Sequence, residues 1–208
     1  MSGSVHIRRA GPADSPAIAG LHVREIPWGQ LSQLGVPFVT SFYGALSASP
    51  RGFAFVAERD GRVEGFASGV ADWRAFYREF LRRHPGLAAR VLLAGFRRGR
   101  WRRLLETSRY AIAEALPPAE LVSIAVAPEM RGSGISGDLV RHVLAEFAAR
   151  RVPAVRVTAG EANAPANRLY ERMGFRLHSY LEIHPGEHAA VYVIALPGET
   201  VRQQPVPS

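Results

Sequence analysis

A short glycine-containing segment, Arg131-Gly132-Ser133-Gly134-Ile135-Ser136, has the residue types of a loop that binds an anion. It follows the apolar run Leu121 to Val126, which predicts a strand, and the turn residues Ala127 to Met130. A helix that begins at these glycines leaves its first backbone N–H groups unpaired and close together. Glycine lets the backbone approach a diphosphate closely, and Arg131 adds a charged donor. The segment therefore predicts a diphosphate site; an ordinary turn that caps a helix is the alternative.

A second segment, Asn163-x-x-Ala166-x-x-Leu169-Tyr170-x-x-x-Gly174-Phe175, lies about thirty residues further along the chain. Its apolar spacing predicts a helix from about Ala164 to Met173, with one face in the core. Asn163 is a good residue for the N-cap of this helix, and Gly174 suits its end. From the spacing alone, Tyr170 is simply a core tyrosine.

Together the two segments resemble the pyrophosphate-binding loop and the following Asn-to-Phe signature of the GCN5-related N-acetyltransferases, the GNAT family. The resemblance implies acetyl-CoA as the co-substrate, with its arm paired along the strand that ends at Ile124-Ala125-Val126. It assigns cofactor binding to Ile124, Ala125, Val126, Arg131, Gly132, Ser133, Gly134, Ile135, Ser136 and Asn163.

The loop departs from the family pattern at two positions. Glu129 stands where Gln or Arg is usual, and Ser136 stands where a small Gly or Ala is usual. Because backbone N–H groups hold most of the diphosphate, neither change removes a donor. We expect altered affinity for the cofactor and retained binding.

The resemblance also suggests two catalytic residues. The family's matching tyrosine commonly protonates the departing CoA thiolate, which implies this role for Tyr170. Glu120 stands six residues before Val126, the spacing at which histone-acetyltransferase relatives carry their general base. A solvated glutamate at the start of a strand is the alternative for Glu120.

Relatives that act on protein N-termini often place the base on the following strand. This chain has Thr158 there, which cannot serve as a base, and Glu161 should lie in the loop beyond. A chain of water molecules ending at backbone carbonyls also stays open.

Composition favours a cytoplasmic enzyme of one domain. The chain has 208 residues, of which 47% are hydrophobic, and we expect a domain over 1–196, a helical insertion at about 74–110 and a flexible tail over 197–208. No apolar run of about eighteen residues and no leader is evident. The chain has no cysteine, so disulfides and an enzyme-thiol intermediate are excluded, and we expect no metal site.

The order of elements favours an α/β sandwich around a mixed sheet. The resemblance to the GNAT family implies three α/β/α layers and a mostly antiparallel central sheet. Strands are predicted at Val5 to Arg9, Phe53 to Glu58, Val63 to Val70, Leu121 to Val126, Ala154 to Thr158, Phe175 to Tyr180 and Ala190 to Ala195. Asp60-Gly61 is a strong signal for a two-residue hairpin. Further helices are predicted at Pro12 to His22, Gly35 to Ser49 and about Gly134 to Arg150. In the helix Gly35 to Ser49, Phe38, Phe42 and Leu46 should face the core.

The segment from Arg74 to about Tyr110 predicts a pair of inserted helices rich in arginine, where most of the formal charge of +8 is concentrated. One helix would carry Tyr77, Phe80, Leu81 and His84 on its apolar stripe, and the other Val91, Leu92, Phe96 and Leu104-Leu105. The pair could simply pack as a solvated cover over the sheet. Contact with an anionic membrane surface, an acidic partner or a second subunit stays open, and no nucleic-acid partner is expected.

The function that follows is transfer of acetyl directly from acetyl-CoA to a primary amine. The acceptor is a small molecule or a peptide: amino sugar, small amine, antibiotic and protein N-terminus all stay open, as does a longer acyl group. The alternatives are a regulatory domain that binds acyl-CoA without catalysis and a protein that associates with membranes or polyanions through the insert.

Overall fold

A single sheet of seven strands runs through the part of the chain that the computed structural model describes, which comprises residues 4–29, 31–86, 116–184 and 187–197. The strand order is β1-β2-β3-β4-β5-β7-β6, and every neighbouring pair is antiparallel except β4 with β5. The strands are β1 His6–Arg9, β2 Gly52–Arg59, β3 Arg62–Val70, β4 Ala119–Val126, β5 Ala154–Gly160, β6 Arg176–His184 and β7 Glu187–Ala195. The prediction of a mixed, mostly antiparallel sheet is confirmed.

Helices cover both faces of the sheet and form the outer layers of the predicted sandwich. They are α1 Ser15–Glu25, α2 Val36–Ala48, α3 Trp73–Arg83, α4 Ile135–Ala149 and α5 Ala164–Arg172. On one face, Ile18, Phe42 and Phe80 of the first three helices share a core with Phe66 of β3. We call this the α1–α3 face. On the other face, α4 and α5 pack against a second core that includes Leu121 of β4.

Local signals in the sequence correctly predict several of these elements. Asp60 and Gly61 both have positive φ, 51° and 74°, which is the conformation of a type I′ hairpin turn between β2 and β3. In α2, Phe38, Phe42 and Leu46 are all buried, as their four-residue spacing predicts.

The strand β4 contains a bulge that reverses the alternation of its side chains. Ser123 pairs with Ser68 of β3, but the next pair joins Leu121 to Gly69, so Val122 is the extra residue. Before the bulge, Leu121 packs on the α4 side of the sheet; after it, Ala125 packs on the α1–α3 face. A periodic pattern cannot reveal such a shift.

The ladder between β4 and β5 is short. It begins at Ala119 with Val155 and ends at Leu121 with Val157, whereas β4 continues to Val126. The edge of β4 that faces β5 therefore has no strand partner over residues 122–126, and the sheet opens there into a wedge.

The helix α3 lies where the first of the two inserted helices was predicted, but its buried face differs from the predicted one. Phe76 and Phe80 are the buried residues of this helix, and Tyr77 is only half-buried. The rings of Phe76 and Phe80 both pack edge-on against Phe42 of α2. The second predicted helix of the insertion lies outside the described residues, as does the predicted tail beyond residue 197.

Candidate active site

The glycine-containing segment forms a cradle of backbone donors at the start of α4. Gly132 and Gly134 have φ of 78° and 88°, and Gly134 is the N-cap of the helix. Within the described residues, no backbone carbonyl or side chain accepts a hydrogen bond from the amides of residues 132–136. The Ser133 hydroxyl donates to the Met130 carbonyl at 2.6 Å and closes the turn. Five unpaired N–H groups beside a helix start fit a diphosphate.

Open space in front of the cradle is consistent with a ligand that lies close to the backbone. A Cβ atom built on Gly132 or Gly134 would meet no other atom within 4 Å. Glycine is therefore required at these two positions by the positive φ and not by crowding within the protein.

Arg131 is held at the flank of the cradle by an ion pair. Its Nη2 donates to Oε2 of Glu25, the last residue of α1, at 2.6 Å, and the other Glu25 oxygen accepts from Arg24 Nε at 2.7 Å. The Glu25 side chain is only 8% exposed, whereas that of Arg131 is 62% exposed. A bound anion would therefore share Arg131 with Glu25 or compete for it.

The strand residues assigned to cofactor binding lie at the wedge. Ile124, Ala125 and Val126 pair with β3 on one side and belong to the part of β4 that has no β5 partner. An extended ligand with amide groups can pair with this edge as an added strand would. The wedge leads toward the amide cradle, because the turn of residues 127–130 joins the two.

Tyr170 combines a buried ring with a hydroxyl that has no protein partner. The residue is 4% exposed, and its ring contacts Phe175 and Tyr192. Among the described residues, no group hydrogen-bonds to its hydroxyl. Burial raises the pKa of Tyr170, so the phenol is protonated at neutral pH and available as a donor.

Asn163 caps α5, as its position predicts. Its Oδ1 accepts from the Ala166 amide at 3.3 Å, which leaves the side-chain NH₂ available to a ligand. Asn167 was not identified from the sequence. Its Nδ2 donates to the carbonyls of Gly160 and Glu161 and so holds the turn between β5 and α5.

Glu120 is ion-paired, which the sequence did not predict. Arg156 occupies the paired position on β5 and donates from Nε and Nη2 to Oε2 of Glu120, at 3.1 and 2.7 Å. The Glu120 side chain is 19% exposed and the Arg156 side chain is 15% exposed. Burial raises the pKa of Glu120 and the neighbouring guanidinium opposes this, with a net upward shift.

The pair lies where the ladder between β4 and β5 ends. Glu120 stands between Ala119 and Leu121, which pack on the α4 side, so its side chain faces the α1–α3 face. A charged residue between Val155 and Val157, inside a predicted strand, was the sequence signal that could have identified Arg156 as a site residue. Glu161, the other carboxylate considered as a base, lies exposed in the turn after β5.

The sequence analysis also did not identify His22, a second buried polar residue. His22 of α1 is 2% exposed, and a 2.7 Å hydrogen bond joins its Nδ1 and the hydroxyl of Tyr43 on α2. The pattern of α1 gave no sign of this contact, since histidine at a core position has no characteristic spacing.

Among the described residues, no three His, Asp or Glu side chains are grouped so as to hold a metal ion. None of the described helices is both long enough and apolar enough to cross a membrane.

Comparison with known proteins agrees with this fold. The sequence model described as the Acetyltransferase (GNAT) family matches residues 21–175. The chain therefore belongs to the GNAT family of acetyltransferases and is a transferase. No curated protein matches the sequence significantly.

Solved structures show the same fold at low sequence identity. An N-acetyltransferase from Staphylococcus aureus Mu50 has a TM-score of 0.59 at 16% identity, with 92% of this chain and 98% of that chain covered. The ribosomal-protein-S18-alanine N-acetyltransferase from Escherichia coli has a TM-score of 0.59 at 17% identity, covering 95% and 99%. Arabidopsis thaliana NAA60 in complex with acetyl-CoA has a TM-score of 0.59 at 15% identity, covering 93% and 99%.

Proposed function

We propose that the protein is an N-acetyltransferase that moves the acetyl group of acetyl-CoA directly to a primary amine. The observation that carries this proposal is the cradle of five unpaired amides over residues 132–136, next to the unpartnered edge of β4. Such an edge suits the amide-bearing arm of coenzyme A, and the cradle suits its diphosphate. The similar fold of NAA60, which was solved in complex with acetyl-CoA, supports the choice of co-substrate.

Both backbone N–H groups and side-chain donors would bind acetyl-CoA. The amides of Gly132, Ser133, Gly134, Ile135 and Ser136 hold the diphosphate, with Arg131 as a charged donor at the flank. The backbone of Ile124, Ala125 and Val126 pairs with the arm, and the Asn163 side-chain NH₂ donates to it. A backbone N–H near Ala125 or Val126 polarises the acetyl carbonyl.

Tyr170 would supply a proton to the departing thiolate. A thiol in water has a pKa of about 8.5, below that of a phenol. Burial raises the pKa of the Tyr170 phenol, and the same surroundings raise the proton affinity of a thiolate released beside it. The two groups are therefore better matched in the site than in water, and a hydrogen bond from Tyr170 stabilises the thiolate even before full transfer.

Glu120 would accept the proton of the acceptor amine, directly or through water. A lysine-like amine with a pKa of about 10.4 is neutral only about 0.04% of the time at pH 7, whereas an α-amine near 8 is neutral about a tenth of the time. The raised pKa of Glu120 makes it a stronger base than an ordinary glutamate, while Arg156 keeps it ionised. A water chain to backbone carbonyls is the alternative route.

The identity of the acceptor is a separate proposal. A small-molecule amine and a peptide amine both fit the chemistry, and the Escherichia coli relative of similar fold is named for acetylating an alanine of a ribosomal protein. A regulatory domain that binds acyl-CoA without transfer is the second candidate. A cytoplasmic location, contact through the arginine-rich insert with a membrane or an acidic partner, and a homodimer stay predictions.

Calorimetry with acetyl-CoA, followed by thiol release against a panel of amines, tests the proposal. Binding together with amine-dependent thiol release supports an N-acetyltransferase and begins to name its acceptor. Binding without release from any amine favours the regulatory domain. Failure to bind acetyl-CoA or CoA would refute the proposal.

A further inference from the structure

A buried chain of polar side chains links α1 and α2 to the bulge of β4. The Nδ1 of His22 lies 2.7 Å from the Tyr43 hydroxyl, and both residues are almost fully buried. The side chains of Ser123 and Ser68 act on the same hydroxyl and lower the pKa of Tyr43, against the larger effect of its burial. Ser68 is fully buried, whereas Ser123, at the bulge, is only half-buried. The chain therefore runs from the interior to the wedge.

The direction of these hydrogen bonds follows from the free nitrogen of His22. Its Nε2 is buried and has no partner within the described residues. An unpaired buried N–H is rarer in folded proteins than an unused acceptor lone pair, so the neutral ring places its proton on Nδ1. His22 then donates to the oxygen of Tyr43, and Tyr43 must donate onward.

The hydroxyls of Ser68 and Ser123 can both accept from Tyr43, because a hydroxyl that donates its proton keeps its acceptor lone pairs. Ser68 Oγ donates to the Ser123 carbonyl at 3.4 Å, so the branch through Ser68 ends on the backbone of the bulge. Among the described residues, no group accepts from the Ser123 hydroxyl, so the branch through Ser123 ends in a proton that can be donated to a ligand. Ser123 lies beside the bulged Val122, in the part of β4 that has no β5 partner. It directly precedes Ile124, Ala125 and Val126, the strand residues assigned to cofactor binding.

We infer that Ser123 donates a hydrogen bond to the acetyl carbonyl in the wedge, and that Tyr43 and His22 are positioning residues that fix the direction of its hydroxyl. The inference deepens the proposed function and rests on it. It adds a side-chain donor to the backbone N–H groups of β4. In this arrangement, the packing of α1 and α2 on the sheet sets the orientation of a hydroxyl that contacts the reacting acetyl group.

The hydrogen bond would strengthen as transfer proceeds. The amine nitrogen attacks the acetyl carbon, and the electron pair of the C=O bond moves to the oxygen, which Ser123 and the β4 backbone stabilise. When that pair returns, the C–S bond breaks and the thiolate leaves. Glu120 or water takes the amine proton, and Tyr170 provides the proton to sulfur. Tyr170 then regains a proton, and the proton taken from the amine is released to solvent, as the amide and CoA leave.

The affinities of acetyl-CoA and CoA, compared by calorimetry, test the inference without any acceptor. Ser123→Ala should weaken acetyl-CoA binding by about two- to tenfold, the value of one net hydrogen bond, and leave CoA binding unchanged. Ser47→Ala is the matched control, because it removes a buried hydroxyl of α2 that has no partner. Equal losses for both ligands would overturn the inference, as would no loss for either. Wild-type protein that binds neither ligand would refute the proposed function itself.

Variants further along the chain test the positioning roles. Tyr43→Phe should lower the ratio of the two affinities as Ser123→Ala does. His22→Asn keeps an N–H donor near the place of Nδ1 and should retain the ratio, whereas His22→Leu should lose it. With the best amine found, Ser123→Ala should lower kcat on the order of 10²-fold, with a smaller effect on the KM for the amine.

Nitrogen NMR of His22, identified by comparison with His22→Asn, reports the direction of the chain even if a variant folds poorly. A proton on Nδ1 is the expected result. A proton on Nε2 would mean that Tyr43 donates to the ring, which reverses the chain and overturns the role of Ser123 as a donor.

Discussion

Arg156 donates from both Nε and Nη2 to one oxygen of Glu120, at 3.1 and 2.7 Å, across the last rungs of the ladder between β4 and β5. The second Glu120 oxygen has no partner among the described residues. The pair therefore holds the carboxyl group of Glu120 in place, with one oxygen free, at the point where the two strands part. That is the condition that a general base needs to act on an amine in the wedge.

Replacing Glu120 by glutamine should lower kcat/KM most for the acceptor amines that are hardest to deprotonate. The loss should be on the order of 10²-fold for an amine with a pKa near 10.4 and much smaller for one near 8, because the second is already partly neutral at pH 7. Thiol release over a series of amines of similar size measures this. An equal loss across the series would assign Glu120 to structure alone.

The acid limb of the pH profile should follow the same carboxylate. As the proposed base, Glu120 would act only when deprotonated, so activity should be lost as the pH falls through its pKa, which lies above the ordinary glutamate value. Arg156 lowers that pKa, so Arg156→Gln should move the acid limb of kcat/KM to higher pH. A limb that stays in place in Arg156→Gln would contradict Glu120 as the titrating base.

Tyr170→Phe should lower turnover and leave the affinity for acetyl-CoA unchanged. The substitution keeps the buried ring with its Phe175 and Tyr192 contacts and removes only the hydroxyl. Loss of a general acid typically costs about 10²- to 10⁴-fold in kcat. Tyr192→Phe is the control, since its hydroxyl makes only a long 3.4 Å hydrogen bond to Glu171. Full turnover in Tyr170→Phe would exclude this residue as the proton donor.

Gly134→Ala should weaken acetyl-CoA binding, and Gly137→Ala should not. Gly134 has φ of 88°, so alanine there is strained by roughly 1 kcal/mol or more and tilts the amides of the cradle. Gly137 lies one turn into α4 without positive φ, and its added Cβ would have ordinary contacts at 3.6 Å or more. Alanine at 137 should stabilise the helix by up to about 1 kcal/mol. Calorimetry and thermal unfolding of the two variants separate the effects; equal affinities would argue against the cradle.

The parts of the site that sequence could predict are those fixed by a few neighbouring residues. Gly132 and Gly134 at positive φ, Asn163 as an N-cap and Gly174 as a helix end with φ of 88° all follow from local backbone requirements. Local signals of this kind act within one turn and do not depend on the rest of the fold.

The parts that sequence could not predict depend on register between distant strands. Arg156 meets Glu120 only because β5 pairs in parallel with β4 at that residue, and Ser123 reaches Tyr43 only because Val122 is bulged out. His22 and Tyr43 meet through the packing of α1 on α2. One residue of slip would turn each side chain to the other face, so no periodic pattern contains this information.

Glu25→Gln should increase the affinity for acetyl-CoA. The substitution removes the carboxylate that now holds Arg131 at 2.6 Å and so frees this charge for the diphosphate. A gain of a fewfold is expected because Arg131 is exposed and its ion pair is weak. Arg131→Gln should instead reduce the affinity and its dependence on salt. If Glu25→Gln lowers the affinity, the ion pair positions the loop rather than competing with the ligand.

The buried His22 should make the protein less stable at mildly acidic pH. Burial lowers the pKa of His22 from 6.5 to about 4, so between these values the unfolded chain binds a proton that the folded chain does not. The contribution of the neutral, buried His22 to the free energy of unfolding is fully present above pH 6.5. It is lost progressively as the pH falls toward 4. The slope is at most about 1.4 kcal/mol per pH unit.

The variant His22→Asn isolates this slope from the carboxylates that titrate in the same range. Tyr43, the titratable partner of His22, has a raised pKa and stays protonated throughout. The difference in free energy of unfolding between wild type and His22→Asn, measured with urea from pH 7.5 to 4.5, should therefore change only below about 6.5. Because an asparagine cannot take up a proton there, the variant should lose less stability than the wild type as the pH falls. Parallel curves would mean that His22 takes up a proton as readily in the folded protein as in the unfolded chain, which would contradict a pKa lowered by burial.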